Sequence, residues 1–259
     1  SNKRNDFDKK ALFLIQPSIL SFVYNINDNN FLKLFKILFD LSKEETRNMH
    51  KNPVQNLWLM KALTYLLLTN LHRVILIQND FFDYLEELLQ SESNICRNVA
   101  INSLFDVSKS IINFEDHSSE SIQLVFECLF QATNSIYHDV SIITVSSFVS
   151  FFNDINIQNL KNEWNRIFII LKVILTSLYP ENIKDGFRIL TYICCDYILN
   201  LQISEIEVCL STISGYILQN YDLNIALGSI GLLWHIGSSL PCSNIEIWIS
   251  LFKTSTKFF

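Results

Sequence analysis

The sequence predicts an all-α protein, a HEAT/armadillo-like α-solenoid of about a dozen helices, and three observations carry that expectation. Glycine and proline are scarce, five and four in 259 residues, too few to punctuate the short strands of a sandwich or barrel. Apolar residues recur at spacings of three and four, which gathers them on one stripe of a helix. The helical runs are similar in length and closely joined, and a pair period of roughly 40 residues is that of stacked helical hairpins. An irregular all-α globule is the alternative.

In chain order, the apolar runs place helices at 9–25, 30–41, 53–70, 71–90 with a break near Asn79, 93–113, 119–133, 139–152 and 155–178. The period is clearest at Trp164, Ile167, Phe168, Leu171, Ile174, Leu175 and Leu178. It continues through Phe187, Leu190, Ile193, Cys194, Tyr197 and Ile198, then Ile206, Leu210, Ile213 and Ile217, then Ile225, Leu232, Leu233, Ile236 and Leu240. Ser204-x-x-Glu207 and Ser243-x-x-Glu246 read as capping boxes, in which hydroxyl and carboxylate satisfy first-turn amides. Asp222 is the expected N-cap of the Ile225 helix, Pro53 marks a start, and Pro180 and Pro241 mark stops. Asn224, one residue inside the cap, is expected to tie neighbouring repeats through its side-chain amide. Ala100, Gly228 and Gly231 are expected where helices approach closely, and the four tryptophans, Trp58, Trp164, Trp234 and Trp248, in the core.

Composition excludes several functions. A net charge of −6 and a pI near 5.4 oppose nucleic-acid binding, which rewards clustered Lys and Arg. The most apolar run, residues 167–179, is broken by Lys172 and is shorter than the ~20 residues of a membrane-spanning helix; the first residues contain no apolar signal segment. Cys96, Cys128, Cys194, Cys195, Cys209 and Cys242 lie dispersed in apolar stretches and read as reduced, buried thiols of a cytoplasmic protein. His50, His72, His117, His138 and His235 offer no metal-ligand spacing, and neither a phosphate-cradling loop nor a nucleophile elbow occurs. No catalytic, cofactor or metal residue is assigned.

One segment goes beyond composition. Asp222-Leu-Asn-Ile-Ala-Leu-Gly-Ser-Ile-Gly-Leu-Leu-Trp-His-Ile-Gly-Ser resembles the Asn-Ile-Ser-Leu-x-x-Ile-Gly-Leu-Leu-Trp-Asn-Ile-Ser-Asp signature of the Mon-two family. Upstream, Trp164-Asn-Arg-Ile-Phe168 and Gly186-Phe-Arg-Ile-Leu-Thr-Tyr-Ile193 resemble the helices that precede it in that family's homology-downstream-of-Sec-seven region. The resemblance covers residues 160–252 and carries over Trp164, Ile167, Phe168, Phe187, Asp222, Asn224, Ile225, Gly231, Leu233 and Trp234 as mainly structural motif residues. Ala226, His235, Gly237 and Ser238 depart from the signature.

The resemblance implies a non-enzymatic scaffold in Golgi and endosome trafficking, peripheral on those membranes. It also implies contacts with a Dop-one type protein, a lipid flippase and Arf-like GTPases. Two other classes stay open: a regulatory segment of a large Arf exchange factor, and an importin-like transport receptor. The Phe-Arg-Leu-Pro-Gly-Glu catalytic loop of the exchange factors is missing from this sequence. Residues 1–259 read as one helical-repeat segment. The apolar run at Leu12, Phe13, Leu14 and Ile15 and the uncapped end at Leu251, Phe252, Phe258 and Phe259 suggest a middle portion of a longer solenoid.

Overall fold

The computed structural model describes residues 22–48, 57–116, 118–160, 163–239, 248–249 and 253. Among these it contains ten α-helices, four short 3-10 turns and no strand, so the all-α expectation holds. The expected features at Pro53, Pro241, Ser243, Cys242, His50, His117, Leu251, Phe252, Phe258, Phe259 and most of 9–25 lie outside the described residues. The chain divides into two compact units, Ser1–Cys128 and Leu129–Phe259.

In the first unit, α1 (Asp28–Asn48) packs on α2 (Trp58–Leu68), α2 on α4 (Asn94–Asn113), and α3 (Gln78–Leu89) on α4. Helices therefore meet their neighbour in sequence and the second helix along, as in an α-solenoid. Long-range polar ties fix this order. Glu45 of α1 accepts the N–H groups of Trp58 at 3.3 Å and Leu59 at 3.0 Å, satisfying first-turn donors of α2 that its own N-cap residue, Leu57, leaves open. Burial pushes the Glu45 carboxyl up, more than those two N–H groups pull it down. Arg73, in the 3-10 turn Leu71–Leu76, pairs with Asp28 at 2.9 Å and donates to the Val23 and Ile26 carbonyls. The break expected near Asn79 falls at Ile77, between that turn and α3.

In the second unit lie α6 (His138–Asp154), α7 (Trp164–Leu175), α8 (Pro180–Asp196), α9 (Ile203–Leu218) and α10 (Leu223–Ser239). The remaining helix, α5 (Ser119–Thr133), contains the division between the units. Two rows result: α6 meets α8 and α8 meets α10, while α7 meets α9. The hairpins α7–α8 and α9–α10 join the rows. Asn182 sets the start of α8 against α6, donating to Ser141 at 2.8 Å and to Ser177 at 3.1 Å.

Several boundaries differ from those read in the sequence: the helix expected at 30–41 spans Asp28–Asn48, and Pro180, expected as a stop, is the first residue of α8, where its missing N–H costs nothing. The helix expected at 155–178 is interrupted by a 3-10 turn at Ile157–Leu160, where the Asn156 side chain accepts the Gln158 N–H at 3.2 Å and offers the backbone a local alternative to the helix. The cap of α9 is made two residues before the expected Ser204 and Glu207 pair: the Gln202 N–H donates to Glu205 at 2.7 Å, completing a Gln202/Glu205 capping box. Glu205 wins because α9 begins at Ile203, which puts it at the third helical position.

Candidate interaction surface

The motif residues separate into a buried set and an exposed set. Trp164, Ile167 and Phe168 are all buried on the inner side of α7. The Trp164 ring lies 6.2 Å from Tyr197 and 6.5 Å from Phe168; the Tyr192 hydroxyl, hydrogen-bonded to Tyr197, pushes that phenol up to about 12. Ile225 and Leu233 of α10 are buried as well.

α8 is seated by a glycine that the motif does not emphasise. A Cβ on Gly186 would lie 2.6 Å from Ile174 Cγ2 of α7 and would collide with the Tyr216 hydroxyl of α9. Only hydrogen fits at this crossing. Tyr216 is fully buried and donates to the Leu171 carbonyl at 3.2 Å; burial pushes its phenol far above the ordinary value. Phe187, half-buried, lies between Tyr216, 6.2 Å away, and Gly228 of α10, where a Cβ would come within 2.7 Å of its ring. The crossing therefore runs from α7 through α9 and α8 to α10. Cys194 and Cys209, both buried, bring their sulfurs to 3.7 Å between α8 and α9; their contact and burial push the Cys194 thiol well up.

Sequence reasoning placed Gly228 correctly and missed Tyr216, Gly186 and Gln219. A tyrosine on one helix and a glycine on another are each legible, but their meeting is set by the inter-helix register. Gly231 departs from expectation: it is exposed, and nothing lies within 4 Å of where its Cβ would be. Cys195 likewise departs from the buried-thiol reading and is exposed.

The entry to α10 is held as expected at one residue and otherwise at another. Asp222 accepts the Asn224 N–H at 2.8 Å and is the N-cap. The preceding connection is tied by Gln219, whose Oε1 accepts the Tyr221 and Asp222 N–H groups at 2.7 and 2.9 Å. The Asn224 side chain is exposed, and the bonds of Gln219 tie only this connection.

Trp234 is the clearest correction. It is 83% exposed, not part of the core, and continues a line of Leu223 at 73%, Leu227 at 56% and Ile230 at 48%. The spacing of four, three and four residues forms one stripe along the outside of α10. The helix from Leu223 to Ser239 contains no Asp, Glu, Lys or Arg. Polar groups in this region cap helices and tie connections, while the open surface is hydrocarbon, which suits association with another apolar surface. Among the described residues, no group of three or more His, Cys, Asp or Glu is placed to hold a metal ion, and no helix is long and apolar enough to cross a membrane.

Two known proteins are similar to part of this chain. Protein MON2 homolog of Xenopus laevis is 24% identical over 174 residues, 65% of this chain and 10% of that protein. Protein MON2 homolog of Homo sapiens is 21% identical over 174 residues, with the same shares covered. The chain spans about a tenth of the length of these curated relatives. No family model matches the chain, and no solved structure matches it.

Proposed function

We propose, from the membership of this chain in the Mon-two family as a distant and partial relative, that it is a non-enzymatic scaffold segment of the Golgi and endosome trafficking machinery. It works through protein contacts with a Dop-one type protein, a lipid flippase and Arf-like GTPases, on the cytoplasmic side of those membranes and peripheral to them. Residues 160–252 form its homology-downstream-of-Sec-seven part, within a longer run of helical repeats.

The observation that carries this reading is the likeness to two MON2 homologs over 65% of the chain. The stacked helix rows support it physically, because such rows present extended surfaces on a rigid frame. The motif residues fit the same reading: Trp164, Ile167, Phe168, Ile225 and Leu233 build the frame. Phe187, Asp222, Asn224, Gly231 and Trp234 lie at or near its surface.

Affinity purification of the full-length protein from its native cell, followed by identification of co-purifying chains, tests the proposal. The expected result is recovery of a Dop-one type protein and a lipid flippase. Recovery of Ran and nuclear cargo without either would replace it with the importin-like reading. In parallel, the purified chain should leave the rate of nucleotide release from Arf-like GTPases at its spontaneous value; a large acceleration would overturn the non-enzymatic assignment.

A further inference from the structure

The turns that join the hairpins of the second unit repeat at a ~42-residue interval, the period of stacked helical hairpins. Ser135 accepts the Tyr137 N–H at 3.2 Å, Ser177 that of Tyr179 at 3.2 Å, and Gln219 that of Tyr221 at 2.7 Å. All three turns lie at one end of the rows. Asn182, in the first turn of α8, donates to Ser141, in the first turn of α6, and Phe187 meets Gly228 further along α8 and α10, so α6, α8 and α10 run side by side in one direction. α7 and α9 end there together, since a Cβ on Gly215 would meet Leu175, the last residue of α7.

Turn tips are ordinarily polar. These are not. Ile136 and Leu178 are each 82% exposed, and Leu218 and Tyr221, which flank the third turn, are exposed as well. A single exposed apolar side chain needs no explanation, but the same place in three successive turns makes a line. A ring contact joins its first two members: His138 and Tyr179 meet edge to face at 4.1 Å. Charge along the line has one sign. Residues 133–141, 175–183 and 217–225 include Asp139, Glu181 and Asp222 and contain no Lys or Arg; Lys184 stands one helical turn further along α8.

We propose that this edge is the docking surface for a basic amphipathic helix of a partner protein, laid across the three turns. Apolar side chains of that helix cover Ile136, Leu178 and Tyr221, and the Lys or Arg beside them face Asp139, Glu181 and Asp222. Neighbouring helices of a row lie about 10 Å apart, a distance that a helix covers in about seven residues. The anchors of the partner therefore recur at every seventh position. A helix suits the edge better than an extended strand does, because the turn N–H groups of Tyr137, Tyr179 and Tyr221 are already bonded to Ser135, Ser177 and Gln219 and leave a strand few donors to pair with. The carboxylates oppose an anionic membrane. The proposal fixes the chemistry of a partner and not its identity, and stands independently of the trafficking partners proposed above.

The probe is a fluorescein-labelled synthetic peptide of three heptads, with Leu at every seventh position, Lys on either side of each Leu and Ala elsewhere, titrated with the 259-residue chain and read by anisotropy. Saturable binding is expected, at least tenfold weaker when the Lys residues of the peptide are replaced by Glu. The double variant Ile136→Ser, Leu178→Ser should bind the Lys peptide at least tenfold less tightly and Glu181→Lys at least threefold less tightly, with unchanged thermal melts because these side chains are exposed. Leu199→Ser, in the exposed connection between α8 and α9, should bind as the parent does, and the peptide should protect Tyr221 from oxidation. Absence of saturable binding, or equal binding of the Glu peptide, would overturn the proposal. So would a loss of binding in Leu199→Ser or Trp234→Ser with none in the double variant. Protection of Tyr221 that rises with chain concentration in the absence of peptide, or that needs anionic lipid vesicles, would assign the edge to a second copy or a membrane and overturn it equally. Failure to recover trafficking partners in the purification described earlier would sink the scaffold reading and leave this result unchanged.

Discussion

α8 and α10 are successive members of one row, yet their open sides have opposite chemistry. α8 shows water Glu181, Lys184, Arg188 and Asp196, whereas α10 shows it Leu223, Leu227, Ile230 and Trp234. Both helices use a glycine at a crossing, Gly186 against Tyr216 and Gly228 against Phe187. The buried side of each helix is thus dictated by the row, while the composition of the open side records what that side meets. For α8 that side is charged; for α10 it is hydrocarbon.

The largest expected effect lies at the crossing that seats α8. Gly186→Val places a branched side chain where even a Cβ lies 2.6 Å from Ile174 Cγ2, and should cost about 3 kcal/mol or more, or prevent folding. Gly186→Ala should cost about 1–3 kcal/mol in urea unfolding. Combining it with Tyr216→Phe, which removes the colliding hydroxyl, should cost less than the sum of the two single changes. A neutral Gly186→Ala would break the comparison at its shared feature.

Next comes Tyr216→Phe alone, which removes the hydroxyl donating to the Leu171 carbonyl and should cost about 1 kcal/mol. The same residue gives stability a pH dependence. Its phenol is raised above the ordinary 10.0 in the folded state, so the folded protein holds this proton more tightly than the unfolded one. The corresponding stability is complete below pH 10 and is lost as pH rises beyond it. Cys194, raised above 9.0, acts in the same direction from slightly lower pH. Unfolding measured from pH 8 to pH 11 should show this decline, and Tyr216→Phe should make it shallower.

A comparable effect is expected at the entry to α10. Asp222→Ala removes the acceptor for the Asn224 N–H and should cost about 1 kcal/mol. The smallest effects separate the two glycines of α10 by sign. Gly231→Ala meets nothing and removes a flexible residue from a helix, so it should stabilise by up to about 1 kcal/mol. Gly228→Ala drives a methyl group toward Phe187 and should destabilise slightly, because that half-buried ring can give way. Equal signs in thermal melts would show that α8 and α10 are not packed as described.

How legible this was in the sequence depended on the kind of signal. Periodicity placed helices where α4 to α10 lie, because an apolar stripe is a local property of the chain. Ends were less legible where side chains compete locally, as at Asn156, or where two carboxylates lie two residues apart, as Glu205 and Glu207 do. The surface was least legible. Trp234 is expected in the core because tryptophan in an apolar helix is usually buried, whereas α10 packs through the side that holds Ile225, Ser229, Leu232 and Ile236 and leaves Trp234 on the other. Tyr216 and Gly186 escaped notice because the contact between them depends on three helices at once.

The most direct test of the contrast between covered and open sides is residue-resolved oxidative footprinting of the 259-residue chain, comparing Trp164 with Trp234. Trp164 is 2% exposed and Trp234 83% exposed. The account expects Trp234 to react at nearly the rate of a free tryptophan side chain, and Trp164 to be protected at least tenfold until the chain is unfolded. Comparable protection of both tryptophans in the native chain would contradict it.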